Sequence, residues 1–254
     1  MKTKGIEQRN GREFFACNVS RYFSPFLRMS APQTTAFQQD LAATATHLAA
    51  VLPASAAATI DRGIYQVAAS GLVNHVLAAG QPAPDFTLPD AQGQPVALGQ
   101  LLAQGPVVLT FYRGNWCPYC NVQLRAYQQL LPELSRLGAT LVAVSPQTSD
   151  FTGLTASEKE LAFPVLSDVS NHVARQYGLA FEVGSEVADT LRSLGIDLLA
   201  FNGTDADELP LTATFVIAPG GTIAWRWVDA NFKHRAEPGE ILHAVEKAAV
   251  AQEA

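Results

Sequence analysis

Two cysteines stand in the stretch RGNWCPYC, which runs from Arg113 to Cys120. At Cys-X-X-Cys spacing, Cys117 and Cys120 suit half of a zinc site, a structural bridge, or a dithiol that cycles during catalysis. Zinc needs two more N or S ligands, yet there is no second Cys-X-X-Cys, and His47, His75, His172, His234 and His243 are scattered. No metal ligand is assigned. A disulfide framework is no better supported, because Cys17 is the only other cysteine in 254 residues. Two inert core thiols would account for burial but give no reason for Pro118 between them.

The elements around the pair favour a catalytic dithiol. PVVLTFY, just before it, is an apolar, β-branched run that predicts a strand buried on both faces. From Cys120 onward, Leu124, Tyr127, Leu130, Leu131, Leu134 and Leu137 recur with helical period up to Gly138, and Pro132 predicts a kink or short break. The cysteines therefore open a helix, whose unpaired N–H groups and partial positive charge favour a thiolate on Cys117. Pro118 falls in the first turn, where its missing N–H costs nothing. A Cys117 thiolate can attack a disulfide or a peroxide, and Cys120, one turn on, can resolve the mixed disulfide or sulfenic acid. Trp116 would offer a docked substrate an apolar wall, and Arg113 a charge favouring the thiolate. Their competing readings are core packing for Trp116 and a surface ion pair for Arg113.

The remaining chain supplies the frame. Residues 38–79 are Ala-rich and predict two helices broken at Pro53, with Ser55 capping the second. Phe86 to Leu88 and Val96 to Leu98 flank the turn residues PDAQGQ and predict a hairpin. Strand ATLVAVS, loop PQTSDF, helix SEKELA, strand FPVLSD and helix NHVARQYGL then alternate. Residues 182–209 predict a helix over Val187 to Leu194 and a polar loop NGTDADE. TATFVIAPGGTIAWRWV predicts an antiparallel hairpin, and a helix is expected from Glu237 to Ala249. The expected organisation is a flexible extension over 1–30, a helical region over 31–79, and an α/β body over 80–254.

Composition narrows the partners. Net charge is −6, of which residues 1–28 carry +4 and the remainder −10, so nothing here attracts a polyphosphate backbone. No apolar run is long enough to span a bilayer. The N-terminus lacks the apolar core and cleavage site of a secretory signal, so the cytosol is expected, and Met29 stands as an alternative start. Neither nucleic acid nor membrane is an expected partner, and no cofactor is called for.

Taken in order, APDFTLPDAQGQPVALGQLL, GPVVLTFYRGNWCPYCNVQLRAYQ, LVAVSPQ, FPVLSDVSNHVARQYGL and TATFVIAPGGTIAWRWV resemble the peroxiredoxin-like branch of the alkyl hydroperoxide reductase/thiol-specific antioxidant family. The resemblance covers roughly residues 80–249. It implies a thioredoxin-like α/β fold, a mixed central sheet flanked by helices, with a peroxiredoxin-type N-terminal β-hairpin. The helices before residue 80 would be an addition. It also implies a thiol peroxidase recycled by thioredoxin or a similar dithiol, with a homodimer compatible. Cys117 matches the peroxidatic cysteine and Cys120 the second thioredoxin-type cysteine. Three family groups are missing. Gly114 stands where typical members carry Thr or Ser, Thr110 where they carry Pro, and Thr212 where they carry an arginine and thioredoxins a cis-proline. Pro210 lies two residues too early. Arg113 or Arg125 could replace the missing charge, and Phe111 stands in place of thioredoxin's buried acid. Three functions follow: peroxide reduction, dithiol–disulfide exchange motivated by CPYC, or a redox-sensing interaction module.

Overall fold

The structure, a computed structural model, describes residues 35–250. The extension expected over 1–30, with Cys17 and Met29, lies outside the described residues. In chain order the elements begin α1 (Ala36–Val51), α2 (Ala54–Ala69), β1 (Thr87–Pro89), β2 (Pro95–Ala97), α3 (Leu98–Leu102), β3 (Val107–Phe111), α4 (Pro118–Gln128) and α5 (Leu131–Arg136). They continue β4 (Thr140–Ser145), α6 (Ser149–Glu158), β5 (Val165–Ser167), α7 (His172–Gln176), β6 (Ala180–Glu182), α8 (Ser185–Ser193) and α9 (Leu198–Asn202). The chain closes with β7 (Glu208–Pro210), β8 (Ala213–Ile217), β9 (Ile223–Val228) and α10 (Pro238–Val250).

The central sheet runs β5-β4-β3-β8-β9, with β3, β4 and β5 parallel and β8 and β9 antiparallel. β3 lies in the middle, and every one of its residues is buried, as its unbroken apolar run predicts. Strand alternation divides its side chains between two cores. Val108 and Tyr112 face α1, α4, α5 and α10 through Leu41, Leu124, Leu134 and Ile241. Val107, Leu109 and Phe111 face α3 and α7 through Leu98, Leu102 and Val173. Each such aliphatic or aromatic side chain contributes about 1.5–3 kcal/mol on leaving water. α1 thus shares the core that backs the cysteines.

A polar chain crosses the first of these cores and fixes α4 on the sheet. Gln123 of α4 donates to Thr110 Oγ1 at 2.8 Å, which lies 3.0 Å from Thr214 Oγ1 on β8. The hydroxyl of Tyr127 donates to Ala236 O at 3.1 Å, tying α4 to the segment before α10. Thr110, where the family resemblance would place proline, is therefore a buried hydrogen-bonding post. Such a network positions a helix because each buried partner would be costly to leave unpaired.

The two early helices, the β1–β2 hairpin, the break before α5 and the β8–β9 hairpin match expectation. Ser55 does not cap α2: Pro53 holds the cap position without a side-chain bond, and Ser55 lies inside the helix. The helix expected at SEKELA lies earlier: α6 takes in the end of the expected loop PQTSDF and keeps only Ser157 and Glu158 of SEKELA, because extended Thr148 opens it and Asp150 suits its positive end. α7 is shorter than NHVARQYGL suggests, since left-handed Asn171 precedes it and Tyr177 ends it. Asp168 accepts from the free N–H groups of Val173 and Ala174 at 2.9 and 2.8 Å. In the stretch over 182–209, α8 spans Ser185–Ser193 rather than Val187 to Leu194, and α9 and the β6–β7 pair were not expected.

Candidate active site

Between β3 and α4 the chain makes one tight passage. Gly114 takes φ 150°, and a Cβ there would come within 2.4 Å of Trp116 Nε1. Glycine is therefore required by both conformation and space. Asn115 is held to the end of β4, its N–H donating to Gln147 Oε1 and Gln147 Nε2 donating to Asn115 Oδ1, both at 2.9 Å. Asn121 donates back to Asn115 O at 2.8 Å, so the loop and the first turn of α4 move as one. Cys117 is the N-cap residue, extended at φ −91° and ψ 109°, and Pro118 is the first residue of the helix.

Both cysteines are free thiols and buried. Cys117 lines a cavity of about 620 Å³, and Cys120 lies beneath it, wholly enclosed. Arg113, Trp116, Pro118 and Thr212 line the same cavity, so five of the six residues singled out from sequence share one wall system. Arg113 is no surface ion pair: it is 7% exposed, with its guanidinium carbon 3.8 Å from the Phe232 ring centroid and 4.8 Å from that of Trp116. Trp116 belongs to both readings, packing on two apolar clusters while facing the cavity. Its Nε1 and the hydroxyl of Thr212 are buried without a hydrogen-bond partner. Arg125 is exposed on α4 and cannot replace the missing charge.

A second cation beside the sulfurs, Arg235, was missed by sequence reasoning. Its Nη2 lies 3.4 Å from Cys120 Sγ, and its Nη1 donates to His234 O at 2.6 Å. Arg235 lies 115 residues from Cys120 in an irregular segment after β9, so no spacing pattern connects them. The only available signal was the dithiol's need for a counter-charge. Among the described residues no carboxylate pairs with Arg113 or Arg235.

The two sulfurs therefore share one proton. Burial, with the adjacent Cys120 sulfur, pushes the Cys117 thiol well above its ordinary value. Burial also raises Cys120, but support from Cys117, the Arg235 guanidinium and the Arg113 N–H outweighs it and brings Cys120 down to about 5. Burial lowers Arg113 while both sulfurs oppose that shift. The arginines thus draw the enclosed sulfur toward the thiolate, while burial holds the cavity-facing one toward the thiol.

A sequence model of the AhpC/TSA family matches residues 79–226. The chain belongs to the AhpC/TSA family. The family match begins after α1 and α2, which lie outside it. Peroxiredoxin Q, chloroplastic, of Triticum aestivum is 28% identical over 163 residues, 64% of this chain and 75% of that protein. A putative peroxiredoxin of Mycobacterium tuberculosis is 34% identical over 100 residues, 39% of this chain and 65% of that protein. Among solved structures, peroxidoxin BcpB of Mycobacterium tuberculosis matches with a TM-score of 0.53 at 23% identity, over 67% of this chain and 97% of that one. Peroxiredoxin 6 of Arenicola marina matches at 0.56 and 14% identity, over 70% and 76%. These likenesses establish the thioredoxin-like fold of the AhpC/TSA body.

The charge arrangement predicts a titration. Ultraviolet thiolate absorbance of the reduced protein should show one ionisation near pH 5, from Cys120, with the second displaced well above the ordinary thiol range. Because the folded value of Cys120 lies below its unfolded one, this stabilisation is full above the unfolded pKa and is lost as pH falls through about 5. Arg235→Met should move the first ionisation upward; two unshifted thiols in the wild type would contradict the assignment. Restoring the family hydroxyl should fail for steric reasons. Gly114→Thr is expected to displace the Trp116 indole, seen as a changed fluorescence maximum, and to lower turnover rather than raise it.

Proposed function

We propose that the chain reduces peroxides through Cys117 and Cys120. It is a thiol-dependent peroxidase, an oxidoreductase that takes hydrogen peroxide or an organic hydroperoxide as acceptor. Family membership and the peroxiredoxin Q relatives support this reading. The observation that carries it is the asymmetry of the pair. Of the two sulfurs only that of Cys117 lines the cavity, while Cys120 below it is enclosed, 3.4 Å from the Arg235 guanidinium.

As a hydroperoxide enters, the Cys117 proton passes to the Cys120 thiolate, which acts as the base that a buried acid provides in thioredoxins. Cys117 sulfur then attacks the terminal peroxide oxygen. An S–O bond forms, the O–O bond breaks, and the leaving alkoxide takes up a proton as alcohol. Cys120 gives its proton to that alkoxide and, again a thiolate, attacks the sulfenic sulfur; the S–O bond breaks, the hydroxide leaves as water with a proton from solvent, and a Cys117–Cys120 disulfide remains. Two electrons from thioredoxin or a similar dithiol restore the thiols. Arg113 and the unpartnered hydroxyl of Thr212, both on the cavity wall, supply the charge and the donor that typical members place elsewhere. A reducing, cytosolic setting suits such a cycle.

Dithiol–disulfide exchange remains the second reading, favoured by CPYC and by the absent family hydroxyl at Gly114. The 1% exposure of Cys117 weighs against a protein disulfide as the oxidant. Cys120→Ser treated with one equivalent of peroxide should accumulate sulfenic acid at Cys117, read by dimedone labelling and mass spectrometry. Cys117→Ser should lose thioredoxin-coupled peroxide turnover by about 10³-fold or more, as expected when a nucleophile is removed. Unlabelled Cys117, together with rapid reduction of insulin by the wild type, would favour exchange instead.

A further inference from the structure

We infer that the Cys117–Cys120 disulfide is re-reduced by a small apolar dithiol that enters the cavity and attacks Cys117 there, in preference to a dithiol protein docking on the surface. This rests on the disulfide of the peroxidase reading and names the class of its reductant. Access is the first ground. A reductant has to bring a thiolate up to the sulfur it attacks, and Cys117 and Cys120 are 1% and 0% exposed. The cavity of about 620 Å³ leads to Cys117, and its volume lies within the usual range for small organic ligands.

The cover over that cavity is the second ground. α1, α2 and α8 face Cys117 across it. α2 is fastened to α8 by the Arg62–Glu186 ion pair and by Thr59 Oγ1, which donates to Glu186 at 3.4 Å. The two helices are so close that a Cβ at Gly63 would come within 2.7 Å of Val187. Asp61 of α2 also pairs at 2.6 Å with Lys233, in the segment that carries Arg235. α1 and α2 lie outside the residues matched by the family, so this cover is an addition to the family body. A protein partner meets these helices first, whereas a small molecule fits beneath them, where Ala45, Ala49 and Ala57 leave space.

The lining and the sulfur pair set the chemistry of the reductant. Leu48, Leu52, Ile60, Ile64, Leu191 and Leu209 make walls that favour hydrocarbon and would strip a charged thiol peptide of its hydration without new hydrogen bonds. A first thiol loses its proton to solvent and its sulfur attacks Cys117. The protein S–S bond breaks, and Cys120 leaves as a thiolate beside Arg235, whose Nη2 lies 3.4 Å from its sulfur. A monothiol would stop there, because the Cys120 thiolate re-attacks the mixed disulfide and expels it. In a dithiol the second sulfur is already in place. It attacks the first, passes its proton to the departing Cys117 sulfur, and the reductant leaves as a cyclic disulfide. Two electrons move from the dithiol to the protein, and one proton goes to solvent.

The test starts from the full chain oxidised with diamide, so that it runs without peroxide. Stopped reactions are labelled with iodoacetamide, and free Cys117 and Cys120 are counted by peptide mass. At equal concentration dihydrolipoamide should reduce the pair at least about tenfold faster than dithiothreitol, which has hydroxyls in place of hydrocarbon, the scale of one added apolar contact. It should also outpace glutathione and thioredoxin. Ala49→Phe and, separately, Ala57→Phe should lower the ratio of the dihydrolipoamide rate to the dithiothreitol rate by about tenfold. Circular dichroism checks their folding, and the wild-type comparison stands without them. Thioredoxin acting faster than dihydrolipoamide, or dithiothreitol equalling it, would overturn the inference. The peroxidase reading is tested apart, with peroxide in place of diamide as the oxidant. A pair that peroxide leaves reduced, yet that dihydrolipoamide restores fastest after diamide, would overturn that reading and uphold the class of reductant.

Discussion

A buried guanidinium is costly unless an anion or an aromatic face meets it, and here Arg113 and Arg235 meet the same pair of sulfurs. Neither has a carboxylate partner among the described residues, so the charge that balances them has to be a thiolate. The architecture around them follows from that requirement. The passage through Gly114 turns Arg113 under Trp116 and Phe232, and the segment after β9 brings both Phe232 and Arg235 to the start of α4. Oxidation of the pair to a disulfide removes the anion and leaves the two cations unbalanced. The reduced state is favoured, and a disulfide formed there is readily reduced again.

Holding two sulfurs against two arginines needs a helix that does not shift. α4 is fixed along its length by the Gln123–Thr110–Thr214 contacts, by Tyr127 at the segment before α10, and by Asn121 at its first turn. All of these bonds lie below or behind the cysteines, which leaves the face of Cys117 open to the cavity. The sheet and α4 thus hold the sulfurs from one side, and the layer of α1, α2 and α8 faces Cys117 across the cavity.

Much of the sheet and α4 side was legible in the sequence. The unbroken apolar run of β3, the periodic leucines after Cys120 and the proline at the helix start fix a strand-to-helix junction by local rules alone. The same holds for Arg113, Trp116, Pro118 and Thr212, which sit within a few residues of that junction or of the strand beside it. Arg235 was not legible, because its role comes from a contact across 115 residues and from a segment without regular structure. Nor was the reason for Gly114: it reads as a missing hydroxyl until the indole of Trp116 is seen to occupy the space a side chain would need. α9 and the β6–β7 pair escaped because five-residue helices and three-residue strands carry too little periodicity.

The most direct test of the account is a single-turnover experiment without reductant, mixing fully reduced protein with less than one equivalent of hydroperoxide. Tryptophan fluorescence would follow the reaction, and thiols and alcohol would be counted at its end. The account requires one alcohol formed and two thiols lost per peroxide, with the bridge mapped by mass spectrometry between Cys117 and Cys120. Peroxide that survives while both thiols remain, under conditions where a small disulfide oxidises them rapidly, would contradict it.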